Sequence, residues 1–130
     1  MGFLDFLKSD KDGSKEEPKN IPWQLLSQME QLDEIAEISK TMPVAIFKHS
    51  TRCGISKMVL RQFERSYAIE EGKLKLYFLN LLEFRDISNE VSIRFQILHQ
   101  SPQLIVIRDG VAIAHASHHG IQAHQLEEFV

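Results

Sequence analysis

Apolar residues along the chain follow two periods, and their succession lays out alternating helices and strands. From Gln28 to Lys40, Met29, Leu32, Ile35, Ala36 and Ser39 recur at three- and four-residue spacing while Glu30, Asp33, Glu34 and Glu37 take the other face, which predicts an amphipathic helix. Pro43 stops that helix and introduces Val44-Ala45-Ile46-Phe47, a continuous apolar run suited to a strand covered on both faces. Ile55, Val59 and Phe63 then fall at four-residue intervals beside Met58 and Leu60, predicting a second helix from about Cys53 to Ser66. Lys73 to Leu81 alternates and then turns fully apolar, as a further strand would, and Ile87, Val91 and Phe95 set the face of a third helix. Past Pro102, two short apolar runs, Leu104 to Ile107 and Val111 to Ala114, are joined by Arg108-Asp109-Gly110, a strong hairpin signal. His115 to Gly120 is expected to be a loop, and Gln122 to Val130 a closing helix.

The ends and the composition frame these elements. Residues 1–20 read as a flexible tail: Phe3, Leu4, Phe6 and Leu7 form an apolar plug, followed by a stretch dominated by Lys, Asp, Glu, Ser and Gly that cannot bury itself. The plug is a candidate to dock on its own domain, on a partner, including a second copy as a homodimer contact, or on nothing. Residues 21–130 read as one domain, since 130 residues with 43% apolar content are ordinary for a single core. A net charge of −3 leaves no positive field for nucleic acid or an anionic membrane, so neither is expected as a partner. Phe6 stands where a myristoylation signal carries Ser or Thr. The single cysteine excludes an internal disulfide, and no signal peptide or membrane-length apolar run is seen, so a reducing, cytoplasmic setting is expected.

That cysteine is the chemical centre of the sequence. Cys53 lies at a strand-to-helix junction, and a cysteine opening a helix faces unpaired N–H groups and the positive end of the helix dipole, both of which favour thiolate over thiol. Arg52 adds a nearby positive charge, and His49 adds another, or shuttles a proton, if it points toward the sulfur. The competing reading is a small buried apolar residue with no reactivity. His115, His118, His119 and His124 cluster near the C-terminus, but no Cys-x-x-Cys or His-Glu-x-x-His spacing accompanies them, so no metal site is assigned.

Cys53 after a buried strand, together with Ser101-Pro102 before a hairpin, resembles the thioredoxin superfamily. The resemblance implies an α/β, thioredoxin-like fold with a central mixed sheet of four or five strands flanked by helices. It also implies a cis bond before Pro102 and a site where Pro102 faces Cys53. Where thioredoxins carry Cys-x-x-Cys, this chain has Cys53-Gly54-Ile55-Ser56, so Ser56 cannot resolve a mixed disulfide and monothiol exchange is what remains.

A closer resemblance is to the monothiol bacilliredoxin family. It is carried by Phe47 to Cys53 with Ile55-Ser56, by Arg61-Gln62-Phe63-Glu64, by His99 to Gln103 and by His115-Ala116-Ser117-His118, from about Trp23 to the C-terminus. Gly54 departs from the family's usual residue there and loosens the helix start. The resemblance implies removal of bacillithiol from S-bacillithiolated proteins. Cys53 attacks the mixed disulfide and keeps the bacillithiol, and a second thiol or a reductase then frees it. Bacillithiol is thus a co-substrate rather than a tightly bound cofactor, and S-thiolated proteins are the partners. Its carboxylates suit Lys48 with Arg52, and the loop from Ser117 and His118 to Gly120 opening the last helix; the backbone of Ser101 offers a strand-like edge to an extended substrate. Ser56, Arg52 and His49 are the supporting residues. The alternative is a non-catalytic thioredoxin-fold interaction module in which Cys53 is incidental. Arsenate-reductase chemistry is disfavoured, because no arginine follows Cys53 until Arg61.

Overall fold

The computed structural model describes residues 20–130, so the expectations for the tail fall, Asn20 apart, outside the described residues. In chain order the elements are β1 (Trp23–Leu25), α1 (Gln31–Ile38), β2 (Val44–His49), α2 (Gly54–Ser66), β3 (Lys75–Asn80), α3 (Arg85–Phe95), β4 (Gln103–Arg108) and β5 (Val111–Ser117). Two 3-10 segments, His118–Gly120 and Ala123–Phe129, close the chain. The five strands form one mixed sheet in the order β1-β3-β2-β4-β5. β1, β3 and β2 run parallel, and β4 and β5 are antiparallel additions.

The apolar run Val44 to Phe47 is central because both of its faces are covered. Val44 and Ile46 pack with Leu32 and Ile35 of α1 and with Ile87, Val91 and Phe95 of α3. Ala45 and Phe47 pack on the other face with Val59 and Phe63 of α2 and with Ile121, Ala123 and Leu126 of the closing segment. Strand alternation carries this division to the end of β2, so Lys48 continues the α1/α3 face and His49 the α2 face.

The Asp109-Gly110 turn has positive φ at both residues, 53° and 78°, as the two-residue hairpin signal requires. Ser39, fully buried at the end of α1, holds it: its carbonyl accepts the Asp109 N–H and its Oγ accepts the Gly110 N–H, each at 2.8 Å.

Three expectations are corrected and one element is added. α1 begins at Gln31 rather than Gln28, because the Gln31 side chain accepts the Ser27 and Gln28 N–H groups and donates to the Leu25 carbonyl, turning the chain before the helix starts. β1 was not anticipated: three residues are too few to show alternation, and it is held instead by pairing with β3 and by Trp23 against Phe47, Phe63 and Phe78. The segment after Ala114 is not a loop, since β5 runs on to Ser117 with His115 opposite Ile105 and Ser117 opposite Gln103. The closing segment is 3-10 rather than α-helical.

Candidate functional site

The site forms where β2 ends, β4 begins and α2 starts. After His49 the chain turns through Ser50-Thr51-Arg52, and the Cys53 N–H returns to the Ser50 carbonyl at 3.2 Å. Cys53 is the N-cap of α2 rather than its first helical residue, with φ −106° and ψ 121°, and its carbonyl accepts the Lys57 N–H at 3.1 Å. The half-buried thiol still lies against the open end of a 13-residue helix. No side chain caps that end and no carboxylate lies in its first turn, so the partial positive charge of the terminus is left to the sulfur.

The supporting residues are arranged differently from expectation. His49, almost fully buried, points into α2: its Nδ1 lies 2.7 Å from Ser56 Oγ, and the Ser50 N–H donates to the same oxygen at 3.1 Å. Burial pushes the His49 pKa down, Lys57 pushes it further, and Glu64 opposes. A neutral imidazole results, with Nδ1 free to accept the Ser56 hydroxyl proton. Ser56, fully buried, therefore ties the active turn to the strand beneath it. Arg52 is exposed beside Cys53.

On the other side of the site the Ser101–Pro102 bond is cis, and Gln103 is in register with Lys48. That register sets Pro102 at the end of the sheet from which the Cys53 turn departs. The His118 N–H donates to the Pro102 carbonyl at 3.0 Å, and Ser117 pairs with Gln103, so Ser117 and His118 stand on the rim next to Pro102. His118 holds φ 54° and is exposed. The expectation that a closing helix aims its N–H groups at this rim is not met, because the 118–120 turn is three residues of 3-10 helix. The Ser101 hydroxyl oxygen is buried without a hydrogen-bond partner among the described residues.

Lys48 is the main correction. It was expected beside Arg52 as a ligand-facing cation, but it lies on the α1/α3 face, fully buried, away from Cys53. Its Nζ contacts the Ser88 carbonyl, Ser92 Oγ and His99 Nδ1, each at 3.2 Å. The sequence signal was available: Val44, Ile46 and Lys48 share one face by alternation, and His49, which neighbours the site, takes the other. The involvement of Ser88, Ser92 and the Gln103 carboxamide was not foreseen; the serines are brought in by α3 and Gln103 by the start of β4.

Among the described residues no group of three or more His, Cys, Asp or Glu is placed to hold a metal ion, and no helix is long and apolar enough to cross a membrane.

Residues 24–126 match the family model of the monothiol bacilliredoxin BrxC. Solved structures share the fold. A candidate oxidoreductase with a thioredoxin fold superposes with a TM-score of 0.69 at 25% identity over 82% of this chain and 92% of its own. Malassezia sympodialis thioredoxin gives 0.64 at 21% identity over 87% and 90%. Thioredoxin f from spinach chloroplast gives 0.62 at 14% identity over 83% and 90%.

Proposed function

Because the chain belongs to the monothiol bacilliredoxin family, we propose that it removes bacillithiol from S-bacillithiolated proteins by thiol-disulfide exchange at Cys53. The observation that carries this reading is a half-buried thiol at the N-cap position of a helix whose end no side chain caps, in a sequence with no second cysteine. The Cys53 thiolate attacks the bacillithiol sulfur of the mixed disulfide. An S–S bond to Cys53 forms as the bond to the protein breaks, and the protein sulfur leaves as its thiolate. No sulfur stands at position 56 to displace the adduct, so a second bacillithiol thiolate attacks it, giving bacillithiol disulfide and free Cys53. Over the two steps one disulfide bond is exchanged for another: the protein sulfur is reduced to its thiolate, and the second bacillithiol is oxidised into bacillithiol disulfide.

Arg52, exposed next to Cys53 in the chain, and the Ser117–His118 rim beside Pro102 both suit the carboxylates of this thiol. Bacillithiol acts here as a co-substrate rather than a resident group. A reducing, cytoplasmic compartment fits a lone thiol that must stay free between turnovers.

Intact-mass measurement after mixing the reduced chain with an S-bacillithiolated protein tests this. The expected result is one bacillithiol mass added to the chain, lost from the substrate, and absent with Cys53→Ser. Transfer that persists in Cys53→Ser, or no transfer by the unsubstituted chain, overturns the assignment.

A further inference from the structure

Between α3 and Pro102 the chain passes through a loop whose three consecutive residues Leu98, His99 and Gln100 are fastened from below by two side chains of the sheet. Gln103, almost fully buried, accepts the Gln100 N–H on its Oε1 at 3.3 Å and donates its Nε2 to the Leu98 carbonyl at 3.0 Å. Lys48 holds the residue between them through His99 Nδ1. Lys48 and Gln103 are register partners in the β2–β4 ladder, so the two fasteners form a single cross-strand pair.

A fully buried lysine costs several kcal/mol unless its charge is met. Here the three groups around Nζ are a carbonyl, a hydroxyl and an imidazole nitrogen, and no carboxylate of the described residues shares them. Three acceptors for three N–H donors is a saturated set, and it spans two elements: Ser88 and Ser92 lie one turn apart on α3, and His99 lies in the loop. The left-handed Gln96 (φ 55°) ends α3 and releases the chain into this loop, so the ammonium bridges the joint between helix and loop. The loop carries Leu98, 82% exposed, and delivers the Ser101 backbone to the site.

We propose that Lys48 is a positioning residue that presets the Leu98–Pro102 loop for the protein half of the mixed disulfide. This rests on the exchange reading above. A protein substrate lies along the Ser101 edge and over Leu98, and gains from a loop fixed in advance. A small symmetrical disulfide reaches Cys53, Arg52 and the Ser117–His118 rim but not the 98–100 segment, and gains nothing from its being fixed.

The test uses Lys48→Met, which keeps the length and removes the ammonium, and Gln103→Leu. Amide hydrogen exchange is followed residue by residue in the full chain, alongside steady-state exchange with an S-bacillithiolated protein in the presence of bacillithiol, and the single-turnover rate at which bacillithiol disulfide forms the Cys53 adduct. In both variants the Gln100 N–H should exchange at least tenfold faster while the α2 amides keep their rates. KM for the protein substrate should rise about tenfold with kcat within twofold, and the rate with bacillithiol disulfide should hold. Unchanged Gln100 exchange with unchanged KM overturns the proposal, as does a fall in kcat with KM unmoved. If Lys48→Met does not fold, Gln103→Leu decides by the same readouts. Hydrogen exchange reports on the loop whatever the substrate is, so an inactive unsubstituted chain would remove the exchange reading and leave the loop result standing.

Discussion

His49 Nδ1 and Ser56 Oγ lie 2.7 Å apart, and Ser56 stands three residues after Cys53, where a Cys-x-x-Cys protein carries its second sulfur. The hydroxyl at that position is spent on structure: it joins β2 to α2 and accepts the Ser50 N–H of the active turn. Ser56→Ala leaves a buried imidazole nitrogen and a turn N–H without their partner, which costs on the order of 1–3 kcal/mol. Exchange at Cys53 should fall by less than tenfold, since mixed-disulfide formation needs one sulfur. A Ser56→Ala chain as inactive as Cys53→Ser in the mass-transfer assay would show that the hydroxyl takes part in the chemistry itself.

Arg52 and His118 are both exposed, one in the turn before α2 and one fastened to Pro102. If they receive carboxylates, removing either slows reaction with the anionic mixed disulfide by roughly tenfold, as losing one charge-assisted hydrogen bond does at a partly wetted site. Alkylation of Cys53 by a neutral reagent separates binding from sulfur reactivity. Arg52→Ala is expected to slow both reactions, His118→Ala only the exchange. Wild-type exchange rates in both variants would place the ligand elsewhere.

Ser39 provides a control at the far end of the sheet. It accepts both N–H groups of the Asp109-Gly110 turn, so Ser39→Ala leaves the Gly110 N–H without its partner and costs on the order of 1–3 kcal/mol. The urea midpoint should fall with an unchanged slope, followed by the fluorescence of the single tryptophan, Trp23. Exchange at Cys53 should be unaffected while the chain remains folded. A lowered exchange rate under native conditions would mean that the hairpin turn is coupled to the site.

The order of helices and strands was legible because it rests on burial, and burial writes periodicity into the sequence. Val44 to Phe47, covered on both faces, is the plainest instance, and Asp109-Gly110 gives the hairpin by backbone chemistry alone. What periodicity cannot report is a side chain's target across the fold. Lys48 and His49 are neighbours in sequence and both polar, yet the pleat sends one to α3 and the other to α2. Pairing Lys48 with Arg52 as carboxylate-facing cations ignored that alternation. His115 looked like the start of a loop because a polar residue breaks an apolar run, whereas an edge strand tolerates it on the open side. β1 and the 3-10 closing segment are specified by tertiary contacts of Trp23 and Leu126 rather than by any local repeat.

Stability against pH gives the last prediction, because Lys48 leaves a signature of a definite sign. Burial lowers its pKa from the ordinary lysine value of 10.5 to about 8. Between those values the unfolded chain holds a proton that the folded chain has lost, so the unfolding free energy rises with pH across that window. Below pH 8 both states are protonated, and the full cost of burying the charge is present. The slope for one group is at most about 1.4 kcal/mol per pH unit, so a gain of about 1–2 kcal/mol is expected between pH 8 and 9.5. Tyr67 and Tyr77 act in the opposite direction, since burial raises their pKa values above 10.0 and the folded chain then keeps protons that the unfolded chain gives up. Their effect sets in at about pH 10 and closes the window. His49 and His99, both lowered by burial, withdraw stability as pH falls below 6.5, outside the range in question. Urea unfolding of the unsubstituted chain and Lys48→Met at half-unit intervals from pH 7.5 to 9.5 isolates the lysine, because every other group is common to both. The unsubstituted chain should gain stability across the series relative to Lys48→Met, whichever of the two is more stable at pH 7.5. Parallel curves would mean that Lys48 keeps an ordinary pKa, and that its ammonium is far better solvated than its three neutral partners allow.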